Sequence, residues 1–312
     1  MNQPDFDVIV VGELNADLIL TGDVIPAFGQ AEKLIDDATL TLGSSSAIFA
    51  CGAARLGLRV VFIGKVGDDE FGHFVIAQLQ ARHVDTSGVI VDPSIKTGLS
   101  VILSQPHDRA ILTHLGSIAA LRYAEIDQRL LARGRHLHLG SYFLLDALRP
   151  DIPILFAAAH RHGLTTSLDT NYDPAEVWDG GLHDVLAHTD LFLPNETELQ
   201  AIAHLDDIPS ALAALSTDSR LIAAKLGPDG ALVYSKGQIF RSPSVAVDVV
   251  DTTGAGDSFD AGFIYGHLAG WPVAQTVRFA CICGALSTRA AGGTRAQATL
   301  AEALAMDVAI EE

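Results

Sequence analysis

The 312 residues suit one large α/β domain or a domain with a modest appendage, because single cores rarely grow far beyond about 300 residues. With 49% hydrophobic and 19% charged residues the composition is globular and excludes long disorder. A net charge of -18 repels a phosphate backbone, which excludes nucleic acid as a partner and obliges any anionic cosubstrate to find a locally positive site.

In chain order, Met1 to Asp7 carries acids and no basic region ahead of an apolar stretch, so no signal peptide is expected. Asp7 to Val11 ends at Gly12 and predicts a first buried strand. Further strands are predicted at Val60 to Ile63, Leu137 to Leu139, Thr165 to Leu168, Leu191 to Leu193 and Leu221 to Ala224. Alanine-rich segments with helical spacing separate them, among them Ser44 to Leu56, Phe71 to Arg82 and Ile152 to His162. This alternation implies a doubly wound, mostly parallel sheet flanked by helices. Two stretches break the rhythm: 15–42, and 98–113 with a turn at Gln105 to Arg109. They predict a small β-sheet lid made of insertions into a single domain spanning 1–312. Ala261 to Val277 is uncharged but interrupted by His267, Trp271, Pro272 and Gln275, so no membrane segment is expected. Cys51, Cys281 and Cys283 offer neither an even disulfide framework nor zinc spacing, and a cytoplasmic location is expected. His136 with His138 and His160 with His162 lack a third ligand and are read as structural or surface residues.

The strongest chemical signal is Val250-Asp251-Thr252-Thr253-Gly254-Ala255-Gly256-Asp257-Ser258-Phe259, followed by a helical run through Leu268. Small residues after a strand allow a tight turn, and a helix beginning there presents unpaired N–H groups to an anion. Asp257 at that helix start is placed to take a proton from a hydroxyl attacking a γ-phosphate. A capped turn is the bland alternative for any isolated string of this kind. The chain contains no GxxxxGK[ST] loop and lacks the third glycine of a dinucleotide fingerprint.

Asp251 to Phe263, DTTGAGDSFDAGF, resembles the C-terminal signature of the PfkB family, the ribokinase-like carbohydrate kinases, and Gly43 to Gly72 resembles its N-terminal signature. GELNAD at Gly12 to Asp17, Asp169 to Asn171, PNETE at Pro194 to Glu198, LGPDG at Leu226 to Gly230 and Gly284-Ala285 extend the likeness over nearly the whole chain. The resemblance implies a ribokinase-like fold and ATP-dependent transfer to a hydroxymethyl group of a sugar or sugar-like alcohol. It implies Asp257 as base, with the amides of Gly254, Ala255 and Gly256 stabilising the transferring phosphoryl group. Asn15, Asp17, Gly43 and Ser44 would meet the acceptor. Asn195, Glu198, Lys225, Gly227, Gly230 and Gly256 would meet ATP, with Glu198 organising Mg2+ through water. Potassium is implied at Asp251 and Thr253 with carbonyls near Ser287, Ala290 and Gly292. The lid also offers a surface for a homodimer.

Two departures bear on the acceptor. Gly43-Ser44-Ser45-Ser46-Ala47-Ile48 puts Ile48 where many relatives carry a sugar-binding asparagine, which argues against ribose. Asp173, where relatives carry an arginine after Asp169-Thr170-Asn171, predicts neutral sugars or polyols as acceptors, no basic residue being evident in the lid. Cys281 falls beside the expected adenine position and reads as a buried structural thiol. A nucleoside kinase and a catalytically idle sugar-binding paralogue remain as alternatives, the first disfavoured by the 6% aromatic content.

Overall fold

The computed structural model describes residues 4–105, 108–217 and 220–311. In chain order its strands are β1 (Val8–Val11), β2 (Asn15–Thr21), β3 (Asp37–Leu42), β4 (Val60–Gly67), β5 (Asp85–Asp92), β6 (Gly98–Gln105), β7 (Asp108–His114), β8 (His136–Leu139), β9 (Thr165–Leu168), β10 (Leu191–Phe192), β11 (Leu221–Lys225), β12 (Ala231–Ser235) and β13 (Gln238–Ser242). The helices are α1 (Ser45–Arg55), α2 (Glu70–Ala81), α3 (Gln128–Leu131), α4 (Ile152–Arg161), α5 (Leu182–Leu186), α6 (Glu196–Ala203), α7 (Ile208–Leu215), α8 (Ala255–Leu268), α9 (Val273–Ser287) and α10 (Leu300–Glu311).

Among the described residues nine strands form the main sheet in the order β13-β12-β11-β10-β9-β8-β1-β4-β5, and four form a second sheet, β3-β2-β6-β7. Every pairing from β5 to β11 in the main sheet is parallel, and the β11–β12 and β12–β13 pairings are antiparallel. Alternate side chains of each central strand enter different cores. Val8 and Val10 pack on the face covered by α1, α2, α8 and α9, while Ile9 and Val11 pack on the face covered by α4, α5 and α7. Because the strands run in register, Glu13 after β1, Asp169 after β9, Asn195 after β10 and Lys225 at the end of β11 all emerge at one edge. Ligand sites of open parallel sheets form at that edge.

The small sheet is the expected lid: β2 and β3 lie within 15–42, and β6 and β7 within 98–114. Gln105 ends β6 and Asp108 begins β7, so the turn expected at Gln105 to Arg109 falls on residues 106 and 107, which lie outside the described residues. Thr165 to Leu168 is a strand as expected. The first strand begins at Val8 and not at Asp7, whose carboxylate pairs instead with Arg59 and Arg135. The strand expected through Leu193 stops at Phe192, ahead of Pro194. Missing from the sequence reading are β5, a half-exposed edge strand, and the β12–β13 hairpin. His136 and His138 are structural, as expected: both are fully buried on β8, sharing the Ser167 hydroxyl at 2.7 and 2.8 Å, and Phe49 stacks on His138 at 3.7 Å. Burial holds His138 down to about 3, hence neutral.

Candidate active site

A cavity of about 1770 Å³ lies between the strand ends and the lid, and α8 starts in it. Gly254 has φ 74°, the left-handed region, and a Cβ there would meet Gly293 Cα at 2.7 Å and Ile48 Cγ2 at 2.9 Å. Only glycine satisfies both the conformation and the space. The helix therefore opens at Ala255 with its first amides facing the cavity. Asp257 stands in that first turn, 8% exposed. Burial, then the charge of Asp169, push its carboxyl well above the ordinary range, while Lys225 and a hydrogen bond with Ser45 work the other way.

Beneath α8 lies an ionic cluster. Lys225 Nζ is 2.8 Å from Asp169 Oδ2 and 3.1 Å from Asp260 Oδ2, all three side chains being nearly buried. Burial raises Asp169, but the Lys225 ammonium overrides it and holds the group at about 2; Asp260 is pushed well above its ordinary range by burial and by Asp169. One ammonium thus faces two carboxyl groups whose pKa values are pushed in opposite directions. Lys225 is neither solvated nor unpaired, although it lines the cavity beside Gly256.

At the lid end, Asn15 Nδ2 donates to Asp17 Oδ1 at 2.7 Å, and a Cβ on Gly43 would fall 2.3 Å from that oxygen and 2.4 Å from Asn15 Nδ2. Burial, with Glu13 adding to it, pushes Asp17 up to about 6. Ser44 is engaged otherwise: its hydroxyl caps α1, accepting from Ala47 N at 2.9 Å and donating to the Glu13 carbonyl at 2.7 Å. The next residue, Ser45, lines the cavity, and its hydroxyl accepts from Asn171 Nδ2 at 3.3 Å. Ile48 wedges α1 against Gly254 and Gly293. Asp173 does not act as a loose charge towards the acceptor. Its carboxylate accepts the N–H groups of Ala175, Val177 and Trp178 at 2.9, 2.9 and 2.7 Å and so folds the turn that follows. The lid does supply a cation: Arg109 on β7 lines the cavity and donates to Thr253 Oγ1 at 3.1 Å. Arg149 also lines it, tied to the Phe143 carbonyl and to Asp146.

At the other end, Asn195 and Glu198 form a reciprocal cap on α6, Glu198 N donating to Asn195 Oδ1 at 2.9 Å and Asn195 N to Glu198 Oε2 at 3.0 Å. Burial and Asp169 push Glu198 up to about 7. No group of three or more His, Cys, Asp or Glu among the described residues could hold a metal directly. Gly227 and Gly230 line the cavity, as does Cys281, whose thiol is buried and pushed up to about 11. Asp251 clasps the far side of the turn: Oδ1 accepts from Thr253 N and Oγ1 at 2.9 and 2.8 Å, and Oδ2 from Gly292 N at 2.9 Å. Of the other expected potassium contacts only Gly292 is bonded to Asp251 among the described residues, and the Ser287 hydroxyl donates to the Gly284 carbonyl at 2.8 Å. Thr294, just beyond, carries a buried hydroxyl without a hydrogen-bond partner among the described residues.

A family model described as pfkB family carbohydrate kinase matches residues 5–300. The chain belongs to this family. It is 33% identical over 291 residues to an ATP-dependent ribose-1-phosphate kinase of Halopiger xanaduensis, covering 93% of this chain and 94% of that one. It is 30% identical over 283 residues to a 5-dehydro-2-deoxygluconokinase of Geobacillus kaustophilus, covering 85% and 84%. The structure of an E. coli protein assigned as ribokinase II, solved with ATP and Mg2+, superposes with a TM-score of 0.85 at 25% identity, over 97% of this chain and 99% of that one.

In this pfkB carbohydrate kinase Asn15, Asp17, Ser44, Asn195 and Glu198 line the cavity together with Lys225, Gly227, Gly230 and Gly254 to Asp257, whereas Gly43, Asp251, Ser287, Ala290 and Gly292 are not among its lining residues. Sequence reasoning missed Glu13, Ser45, Asp260 and Asn171 as contributors. Glu13 is 3% exposed, its carboxylate receiving the hydroxyls of Ser46 at 2.6 Å and Ser141 at 2.9 Å. Its signal was present as the acid inside GELNAD. Asp260, one helical turn after Asp257, could have been found by i,i+3 spacing.

Proposed function

We propose that this carbohydrate kinase transfers the γ-phosphoryl group of ATP to a hydroxymethyl oxygen of a sugar or sugar-like alcohol, with Asp257 as general base. The observation that carries the reading is a single cavity holding the Asp257 carboxylate, the α8 amides and the Asn15–Asp17 pair. The Asp17 carboxylate and the Asn15 side-chain carbonyl accept from acceptor hydroxyls, with Gly43 giving them room and Ser44 and Ser45 shaping the floor. Asp257 takes the acceptor proton, and the amides of Gly254, Ala255 and Gly256 receive the equatorial oxygens of the transferring group. Gly227 and Gly230 border ATP, and Asn195 and Glu198 hold Mg2+ through water, which supplies charge neutralisation at the phosphates. Lys225 acts on the site through Asp169 and Asp260.

Potassium fits behind the anion-binding turn, held by Asp251, Thr253 and the carbonyls of Ser287, Ala290 and Gly292, with the unpartnered Thr294 hydroxyl nearby in sequence. We further read the chain as one domain over 1–312 whose lid, 15–42 and 98–113, closes on the acceptor. Exposed Leu40, Ile111 and Leu112 on that lid support a homodimer contact. No helix among the described residues is long and apolar enough to cross a membrane. The buried, unpaired Cys51, Cys281 and Cys283 support a cytoplasmic setting.

Because Asp173 is engaged in its own turn, the assay includes anionic as well as neutral acceptors. ATP consumption is measured over neutral pentoses, hexoses, ketoses and polyols, with a sugar acid, a sugar phosphate and nucleosides alongside. Turnover of a sugar that vanishes in Asp257→Asn supports the reading, and a wild-type protein that turns over none of them refutes it.

A further inference from the structure

Glu13 and Asp257 both line the cavity, and a chain of hydrogen bonds with Asn171 at its centre connects them. Asn171 follows β9 and Ser141 follows the neighbouring parallel strand β8, and both stand at φ 55°, in the left-handed region. That conformation is uncommon outside glycine and persists where the surrounding contacts hold it. Asn171 Oδ1 accepts from Tyr172 N at 2.8 Å. This contact tells the two ends of the amide apart: with Oδ1 on an N–H, it is Nδ2 that faces the hydroxyls of Ser45 at 3.3 Å and Ser141 at 3.2 Å.

An amide nitrogen only donates, so both hydroxyls accept from it and each keeps its own proton to give elsewhere. Ser141 gives its proton to Glu13 Oε1 at 2.9 Å. Ser45 gives its own to Asp257. The chain thus has one polarity, with protons pointing away from Asn171 towards a carboxyl group at either end. Burial, then Asp169, and more weakly Glu13 raise Asp257, while Lys225 and the Ser45 hydroxyl draw it down; Asp260 lies one turn further along the same helix.

We propose that Asn171 is a positioning residue for the base: it commits the Ser45 hydroxyl to one oxygen of the Asp257 carboxylate and leaves the other oxygen to take the acceptor's proton. This rests on the reading of Asp257 as the base of an ATP-dependent kinase. In the transfer the bond from the γ-phosphorus to the β–γ bridging oxygen breaks as the bond to the acceptor oxygen forms. The acceptor proton passes to the free Asp257 oxygen, ADP departs, and Ser45 and Asn171 keep their protons throughout. A carboxylate turns about its last bond unless something holds it. The Ser45 donor, itself pinned by Asn171, stops that rotation and favours the charged form that accepts a proton. Glu13 secures the far end, because by taking the Ser141 proton it leaves that oxygen free to accept from the amide.

The test uses the full chain with Asn171→Gly, Ser45→Ala, Ser45→Thr and the double variant Asn171→Gly/Ser45→Ala. Glycine adopts the backbone of Asn171 without strain, and neither residue belongs to a hydrophobic core. With an acceptor that the wild type phosphorylates, single-turnover transfer falls on the order of tenfold in Asn171→Gly and in Ser45→Ala. The acid limb of kcat/KM moves up by about one pH unit in both, because the charged base has lost a donor. Ser45→Thr, which keeps the hydroxyl, restores rate and profile, and the double variant is no slower than the slower single one. An acid limb unmoved in both single variants overturns the proposal, as do additive losses in the double variant. A raised acceptor KM with kcat intact also overturns it, since Asn171 and Ser45 would then be ligands for the acceptor. Carboxyl-carbon NMR of aspartate-labelled protein, with Asp257 assigned by its absence from Asp257→Asn, needs no acceptor, and its titration midpoint rises in both single variants. If the wild type phosphorylates nothing, the kinase reading fails; a raised midpoint then leaves the chain from Asn171 through Ser45 to Asp257 standing, and an unmoved one overturns that too.

Discussion

Replacing Lys225 with methionine removes the ammonium from between Asp169 and Asp260 without changing much volume. At 2.8 Å the Lys225–Asp169 attraction is about 6 kcal/mol for an effective dielectric of about 20. Much of that is offset in the wild type by the cost of burying both charges. Removing one partner leaves the other charge buried and unpaired, which costs about 3–5 kcal/mol. The sign with pH follows from Asp169, whose folded value of about 2 lies below its unfolded one. Its contribution is full above about pH 4 and is lost as pH falls towards 2. In Lys225→Met the same carboxyl moves above its unfolded value, so the variant's deficit is largest at pH 8 and shrinks on acidification. Urea unfolding of both proteins at pH 5, 6.5 and 8 measures it, and adding Asp169→Asn to the variant should recover most of the loss. A deficit below about 1 kcal/mol at pH 8, or one independent of pH, would refute the cluster as described.

Asp257→Asn is expected to fold and bind ATP but to turn over at least about 100-fold more slowly, as single-turnover measurement will show. Because the Asp257 carboxyl is raised, wild-type kcat/KM should climb with pH as that proton is lost, and the climb should be absent from the residual activity of the asparagine variant. Gly43→Ala drives its methyl into the ends of Asn15 and Asp17, which can swing away; the fold survives, and the acceptor KM rises on the order of tenfold while that for ATP holds. Potassium should raise activity over sodium or a bulky organic cation at constant ionic strength, and Asp251→Ala should abolish the difference, since it unfastens Gly292 from the turn at Gly254.

What could be read from the chain alone depended on how locally the relevant physics is written. Asp257 and its turn lie in one contiguous string, where small residues and an acid specify both the backbone and the chemistry. The parallel strands were legible for the same reason: a strand buried on both faces is a short apolar run whatever its neighbours. The edge strand β5 and the β12–β13 hairpin carry a mixed pattern because one face meets solvent, and so escaped. Asp173 was read by the type of residue it replaced, but its three backbone partners lie within the next five residues and make it a turn former.

Lys225 shows where local reading ends. Its partners Asp169 and Asp260 are 56 and 35 positions away, and only the order of strands, which sets β11 two places from β9 with α8 crossing above, brings them together. A lysine at a strand end has the same sequence signature whether water or carboxylates surround it. The difference decides the electrostatics of the whole cavity. A free Lys225 would have made the floor positive and ATP attractive before closure. With Lys225 held between Asp169 and Asp260, the proposed attraction for phosphate rests on the backbone amides at the start of α8 and not on this ammonium.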